Sequence, residues 1–158
     1  MALLLAGCAA TPSPASEPDD GAIAGTVGSV AVAFPDVGRS ARARERGARA
    51  SALVRQSARD WLEEAGRLAP EGELAVEATL EALRLRGALA TWLFAWAVPP
   101  DHLSARVAVH RRGLPEARFA LRVESALAGY GWRDPEERLD RLARRLGRRL
   151  AERLESGL

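Results

Sequence analysis

The pattern of apolar and polar positions divides the chain into short strands and two long helices. Residues 26–34 form an apolar, β-branched run that Pro35 stops, which predicts a buried strand. From about Ser40 to Leu68 a helix is predicted, and Gly66 marks its end. Its expected inner face consists of apolar and small residues at three- and four-residue spacing: Leu53, Val54, Ser57, Trp61, Leu62, Ala65 and Leu68.

The middle of the chain changes to a period of two, which is typical of half-buried strands. The alternation that begins at Glu73 slips in parity near Ala82, and a β-bulge there explains the slip. A helix is the competing interpretation of this segment, because Glu, Ala and Leu favour helices. Further strands are predicted over 88–98, 103–110 and 118–124, and the short turn between the last two predicts an antiparallel hairpin.

The last helix is predicted from its start signal and its leucine spacing. Asp134 can cap the helix and Pro135 fits its first position. One stripe then carries Leu139, Leu142, Leu146, Leu150 and Leu154. The order strand, helix, four strands, helix predicts an α+β fold, with a mostly antiparallel sheet of about five strands and two long helices packed on one face.

Composition indicates a single folded domain, which we place at residues 26–158. The chain has 158 residues, of which 47% are hydrophobic and 28% charged, so wholesale disorder is excluded. The net charge is only +2, which gives no case for nucleic-acid binding. There is one cysteine, so no internal disulfide can form, and a lone cysteine needs an explanation.

The explanation lies at the start of the chain, where Leu5-Ala6-Gly7-Cys8 resembles the bacterial lipobox. The resemblance implies that the Cys8 thiol receives a diacylglyceryl group and that the leader is cut before it. Residues 1–7 are too short and uncharged for a whole leader, so they are interpreted as a truncated one. The Pro- and Ser-rich residues 8–25 are expected to form a flexible tether with a reach of about 20–25 Å. By resemblance to Gram-negative lipoprotein sorting, Ala9 implies the outer membrane.

The layout also resembles small envelope lipoproteins of the transport-auxiliary type. Those share a lipobox, a Pro/Ser tether, an opening strand, a long helix, a meander and a charged terminal helix. The resemblance implies a non-catalytic interaction or accessory module with an envelope protein partner. Binding of a lipid or other amphiphile is the alternative function.

An arginine run is the first candidate site, and it consists of Arg39, Arg42, Arg44, Arg46 and Arg49. Positive charge in the first turn of a helix opposes the helix dipole, so bound phosphate would be stabilising there. The competing interpretation is a solvated helix start.

Aromatic residues supply the other candidate contacts. Trp92 and Trp96 share one predicted strand face, which is either a ligand or partner surface or core beneath the helices. Tyr130 and Trp132 flank a glycine before the last helix, where they either contact a partner or pack under that helix.

No motif indicates an enzyme, a cofactor or a metal site. The sequence lacks a nucleophile elbow, a phosphate loop and a zinc signature. His102 and His110 are too few to form a metal site. The grouping of Asp101, His102 and Ser104 is the nearest approach to a hydrolase, and a turn explains it as well.

Overall fold

The computed structural model describes residues 25–35, 40–86, 100–111, 116–124 and 134–156. Within them lie four strands and two helices in the order β1, α1, β2, β3, β4, α2. Their bounds are β1 Val27–Ala33, α1 Ala41–Glu64, β2 Leu74–Arg84, β3 His102–Arg111, β4 Ala117–Glu124 and α2 Pro135–Glu155. The predicted α+β class is therefore confirmed.

The four described strands form one mixed sheet in the order β1-β2-β3-β4. The pairs β2–β3 and β3–β4 are antiparallel, so the predicted hairpin is confirmed. The pair β1–β2 is parallel, because α1 crosses over between the two strands. The register of β2 against β3 shifts between Leu80 and Ala82, which confirms the predicted bulge. The predicted strand over 88–98 lies outside the described residues.

One face of the sheet is apolar and lies beneath both helices. Its strand residues include Val76, Leu80, Leu103, Val107 and Val123, each at most 2% exposed. The alternate positions point to the other face and are largely polar, including Glu77, Glu81, Arg106, Arg118 and Arg122. Both helices thus pack on the same side of the sheet, as predicted.

Helix α2 follows the leucine stripe that the sequence shows. Each of the five leucines of the stripe is at most 3% exposed. The Asp134 carboxylate accepts a hydrogen bond from the Glu136 amide at 3.2 Å, and Pro135 occupies the first turn. The capping signal and the apolar period therefore act together to fix this helix against the sheet.

Helix α1 packs on α2 through small residues, so its predicted inner face is confirmed only in part. Val54 and Leu62 are buried as predicted, whereas Ala65 is exposed. The buried positions are Gly47, Ala50, Ser51, Val54, Ala58 and Leu62, while Leu53, Ser57 and Trp61 are only half-buried. The two helix backbones approach closely at Gly147, where an added Cβ would lie 2.5 Å from the Val54 carbonyl oxygen. Such a close approach of the two backbones requires small side chains at the contact. The face of α1 that carries the larger side chains therefore lies at the outer edge of the contact between the helices.

Candidate functional site

The arginine run divides into two parts in the structure. Arg46 Nη2 lies 2.7 Å from Glu136 Oε1, and Arg49 forms two hydrogen bonds to the Asp140 carboxylate at 2.8 and 2.7 Å. The hydrogen bond and the charge of Asp140 raise the pKa of Arg49. These two guanidinium groups therefore join α1 to α2 through carboxylates of the protein itself.

Arg42 and Arg44 are exposed on the first turns of α1, while Arg39 lies outside the described residues. The first turn contains no acidic residue, and Ser40 caps it by accepting from the Ala43 amide at 3.3 Å. Anion binding therefore stays a prediction for Arg42 and Arg44.

A pocket of about 230 Å³ adjoins this turn, with Phe34, Leu83, Leu85 and Arg42 among its lining residues. Sites for drug-sized ligands usually measure about 300–1,000 Å³, so the size of this pocket does not favour binding of a large amphiphile. Binding of a lipid or other amphiphile therefore stays a prediction, and this pocket does not support it.

Arg42 and Arg46 are one helical turn apart, and only Arg46 is paired with α2, so the two residues allow a matched test of stability. We expect Arg46→Gln to lower the free energy of unfolding by up to about 1 kcal/mol, because it breaks a half-buried ion pair between the helices. Arg42→Gln should change it by less than about 0.5 kcal/mol, since the side chain is exposed. Urea unfolding of both variants measures the difference, and equal effects would contradict the assigned roles.

A buried charge cluster, consisting of Arg86, Asp101 and Arg138, is the most unusual arrangement of polar groups in the described core. Each side chain is at most 4% exposed. Asp101 Oδ2 accepts from Arg138 Nη1 at 2.8 Å, and Asp101 Oδ1 accepts from the Arg86 amide at 2.6 Å. Arg138 Nη2 also donates to the Arg86 carbonyl at 2.6 Å.

The buried charge cluster joins three places in the fold. Arg86 follows β2, Asp101 precedes β3, and Arg138 lies in the first turn of α2. The Arg86 guanidinium Nε is 3.5 Å from Asp101 Oδ1, so the cluster has two cations for one carboxylate among the described residues. The two ends of the connection from β2 to β3 are thus fixed to each other and to α2.

Sequence reasoning missed this cluster, although one signal for it exists. Arg138 is four residues before Leu142 and eight before Leu146, so it occupies the leucine stripe itself. A charged residue at an apolar position of a helix indicates a buried partner. The identity of that partner was not readable, because Asp101 lies 37 residues earlier in the chain.

The grouping of Asp101, His102 and Ser104 does not converge on a common atom. Asp101 Oδ1 accepts a hydrogen bond from the Arg86 amide, and Asp101 Oδ2 accepts one from the Arg138 guanidinium group. His102 Nδ1 is buried without a hydrogen-bond partner in the described part of the chain. Ser104 is half-buried on the polar face of β3. Asp101 therefore serves the buried charge cluster.

His110 lies on the polar face of the sheet, as its position in the strand predicts. The Nε2 atom of His110 is 3.7 Å from Glu77 Oε2. On the same face, Arg106 Nη2 is 2.6 Å from Glu81 Oε1. Within the described ranges, no group of three or more His, Cys, Asp and Glu side chains is placed to hold a metal ion.

A groove of about 480 Å³ runs along the outer side of the contact between α1 and α2. Its lining residues are Leu53, Gln56, Ser57, Asp60, Trp61, Arg144, Arg145 and Arg148. The Arg148 guanidinium carbon lies 4.6 Å from the centre of the Trp61 ring, a cation–π arrangement. This groove combines an accessible aromatic ring with several cations.

The remaining predicted sites are the cysteine of the lipobox and four aromatic residues. Cys8, Trp92, Trp96, Tyr130 and Trp132 lie outside the described residues. In the part of the chain that is described, no helix has an apolar stretch long enough to cross a membrane.

The comparisons with known proteins found solved structures of low similarity to this chain. No protein-family model matches the chain, and no curated protein does. A PelC dodecamer from Paraburkholderia phytofirmans matches at 11% identity and a TM-score of 0.39, covering 86% of this chain and 92% of that chain. A PelC variant from the same organism has 12% identity and a TM-score of 0.42, covering 82% of this chain and 91% of that chain. The crystal structure of an uncharacterized protein matches at 13% identity and a TM-score of 0.46, covering 82% of this chain and 91% of that chain. These low values carry no argument about function.

Proposed function

We propose that this chain is a lipid-anchored protein of the bacterial cell envelope, held at the periplasmic face of the outer membrane. Its α+β domain would be a non-catalytic interaction or accessory module for a transport or assembly system. The observation that carries the proposal is Leu5-Ala6-Gly7-Cys8, which resembles a lipobox and precedes a Pro- and Ser-rich stretch.

The way the chain enters the domain is compatible with an anchor. Gly25, the first described residue, lies where its carbonyl oxygen accepts from Arg67 Nε at 3.0 Å. The amide of Val27 then donates to the Arg67 carbonyl oxygen at 2.7 Å, so β1 begins as a fixed element of the fold. Removal of the anchor should therefore leave the domain folded.

The anchoring part of the proposal is tested at Cys8. We expect wild-type chain, expressed with a longer upstream start, to incorporate a labelled palmitate analogue and to sediment with membranes. Cys8→Ser should lose both properties, because it removes the thiol that receives the lipid, while its thermal unfolding stays unchanged. One acyl chain alone holds a protein only marginally, so the multiple chains of a lipoprotein are needed for stable attachment.

Ser13→Cys in the Cys8→Ser background is the matched control, because it restores a thiol without restoring the lipobox. It should remain unlabelled. Wild-type protein that stays unlabelled and soluble would refute the anchor. The interaction part is tested by crosslinking in intact envelopes, and recovery of no specific partner would count against an accessory role.

A further inference from the structure

The exposed side of α2 holds several arginines, and not all of them pair with a carboxylate of the described residues. We define the basic patch as Trp61, Arg144, Arg145, Arg148 and Arg149. Arg148 is paired with Glu152 at 2.6 Å, whereas Arg145 Nη1 donates to the neutral carbonyl oxygen of Glu124. Arg144 and Arg149 have no ion-pair partner among the residues that the structure describes. Within the described ranges, three guanidinium groups of the patch therefore have no carboxylate partner.

Trp61 adds an aromatic group to this charge. Its ring is half-buried at the α1 side of the groove, and Arg148 covers one of its faces. Tryptophan combines a large apolar ring with one hydrogen-bond donor, which suits it to the boundary between lipid headgroups and water. The combination of arginine with tryptophan is typical of surfaces that rest on membranes.

The first described residue of the chain lies near the C-terminal end of α2. One guanidinium group, that of Arg67, donates to both the Gly25 carbonyl oxygen at 3.0 Å and the Leu154 carbonyl oxygen at 3.3 Å. Arg149 lies five residues before Leu154, a distance of about 7–8 Å along a helix that rises 1.5 Å per residue. The predicted tether from Cys8 therefore joins the fold near the C-terminal end of α2, within about two helical turns of Arg149 along the helix axis.

We propose that the basic patch binds the phosphates of anionic lipid headgroups, and so fixes which side of the domain faces the membrane. This inference rests on the proposed anchor for the proximity of the membrane. The planar guanidinium group matches a phosphate with two parallel hydrogen bonds. Arg144, Arg145 and Arg148 line one wall of the groove on α2, and the Asp60 carboxylate lines the wall on α1. A carboxylate inside the groove would repel an acidic peptide bound there. This arrangement suits a headgroup layer across α2 better than an acidic peptide inside the groove.

The test uses the full chain with Cys8→Ser, so that no lipid on the protein contributes to binding. It measures sedimentation with vesicles of phosphatidylcholine that contain phosphatidylglycerol, and with vesicles of phosphatidylcholine alone. One arginine near an anionic surface contributes about 1 kcal/mol, or roughly a fivefold change in affinity. We expect Arg144→Gln/Arg145→Gln/Arg149→Gln to weaken binding to the anionic vesicles on the order of 100-fold.

Arg55→Gln/Arg59→Gln/Arg84→Gln is the matched control, because it removes the same charge from exposed sites outside the patch and outside the arginine run. It should retain most of the binding, and thermal unfolding should show that both variants fold. Equal loss in the two variants would overturn the patch, since net charge alone would then explain binding. Absence of binding by the Cys8→Ser parent would overturn it as well. Neither outcome affects palmitate labelling of Cys8, so failure here and failure of the anchor are distinguishable.

Discussion

Leu146→Asp should abolish stable folding of the domain. Leu146 is 1% exposed in the middle of the α2 stripe, beside Leu142 and Leu150. The substitution removes a buried apolar side chain and places a carboxylate in a cluster of hydrophobic residues, a change that costs several kcal/mol. Domains of this size are stable by only about 5–15 kcal/mol, so much of the total would be lost.

Leu146→Met is the control, because it conserves volume and polarity and should cost less than about 1.5 kcal/mol. Thermal and urea unfolding of the wild type and both variants measure the effect. A melting temperature for Leu146→Asp equal to that of the wild type would show that α2 does not pack on the sheet.

Helix α2 was predictable because its signals are local and agree with one another. The cap at Asp134, the proline at the next position and the leucine spacing all lie within the helix itself. The bulge near Ala82 was predictable for the same reason, since a change of parity within one strand reports a local irregularity.

The inner face of α1 was less predictable, because packing against another element decided it. The sequence pattern favours Leu53 and Trp61, whereas the buried side is built on Gly47, Ala50 and Ala58. Small residues carry little hydrophobic signal, yet they permit the close approach of α1 to α2 at Gly147. The parallel pairing of β1 and β2 has a similar origin, since it depends on where α1 returns the chain.

The candidate functional sites were also predictable only where their signals are local in the sequence. The arginine run was visible in the sequence, but the acceptors of Arg46 and Arg49 are 90 and 91 residues away, on α2. The basic patch was missed because its arginines look like the solvated side of an amphipathic helix. Only the fold shows that Trp61 contacts Arg148 and that Gly25 lies near the C-terminal end of the same helix.

Asp101→Ala should destabilise the domain by about 3–5 kcal/mol, because it leaves two buried guanidinium groups without their carboxylate. Arg138→Met should cost less, about 1–2 kcal/mol, since one cation and one anion remain and mainly hydrogen bonds are lost. The ordering follows from the charge balance of the buried charge cluster. Each substitution removes three side-chain non-hydrogen atoms, so a contribution through packing volume alone would give the two variants similar costs.

Urea unfolding tests this ordering, and the double variant Asp101→Ala/Arg138→Met tests the coupling between the two residues. We expect the double variant to be more stable than Asp101→Ala, because removal of one guanidinium group reduces the uncompensated charge. Hydrogen exchange at the Arg86 amide gives a local readout, since that amide donates to Asp101 at 2.6 Å in the wild type. Its protection should fall in Asp101→Ala and persist in Arg138→Met. Strictly additive costs, with unchanged protection in both single variants, would show that Asp101 does not hold Arg86 and α2 together.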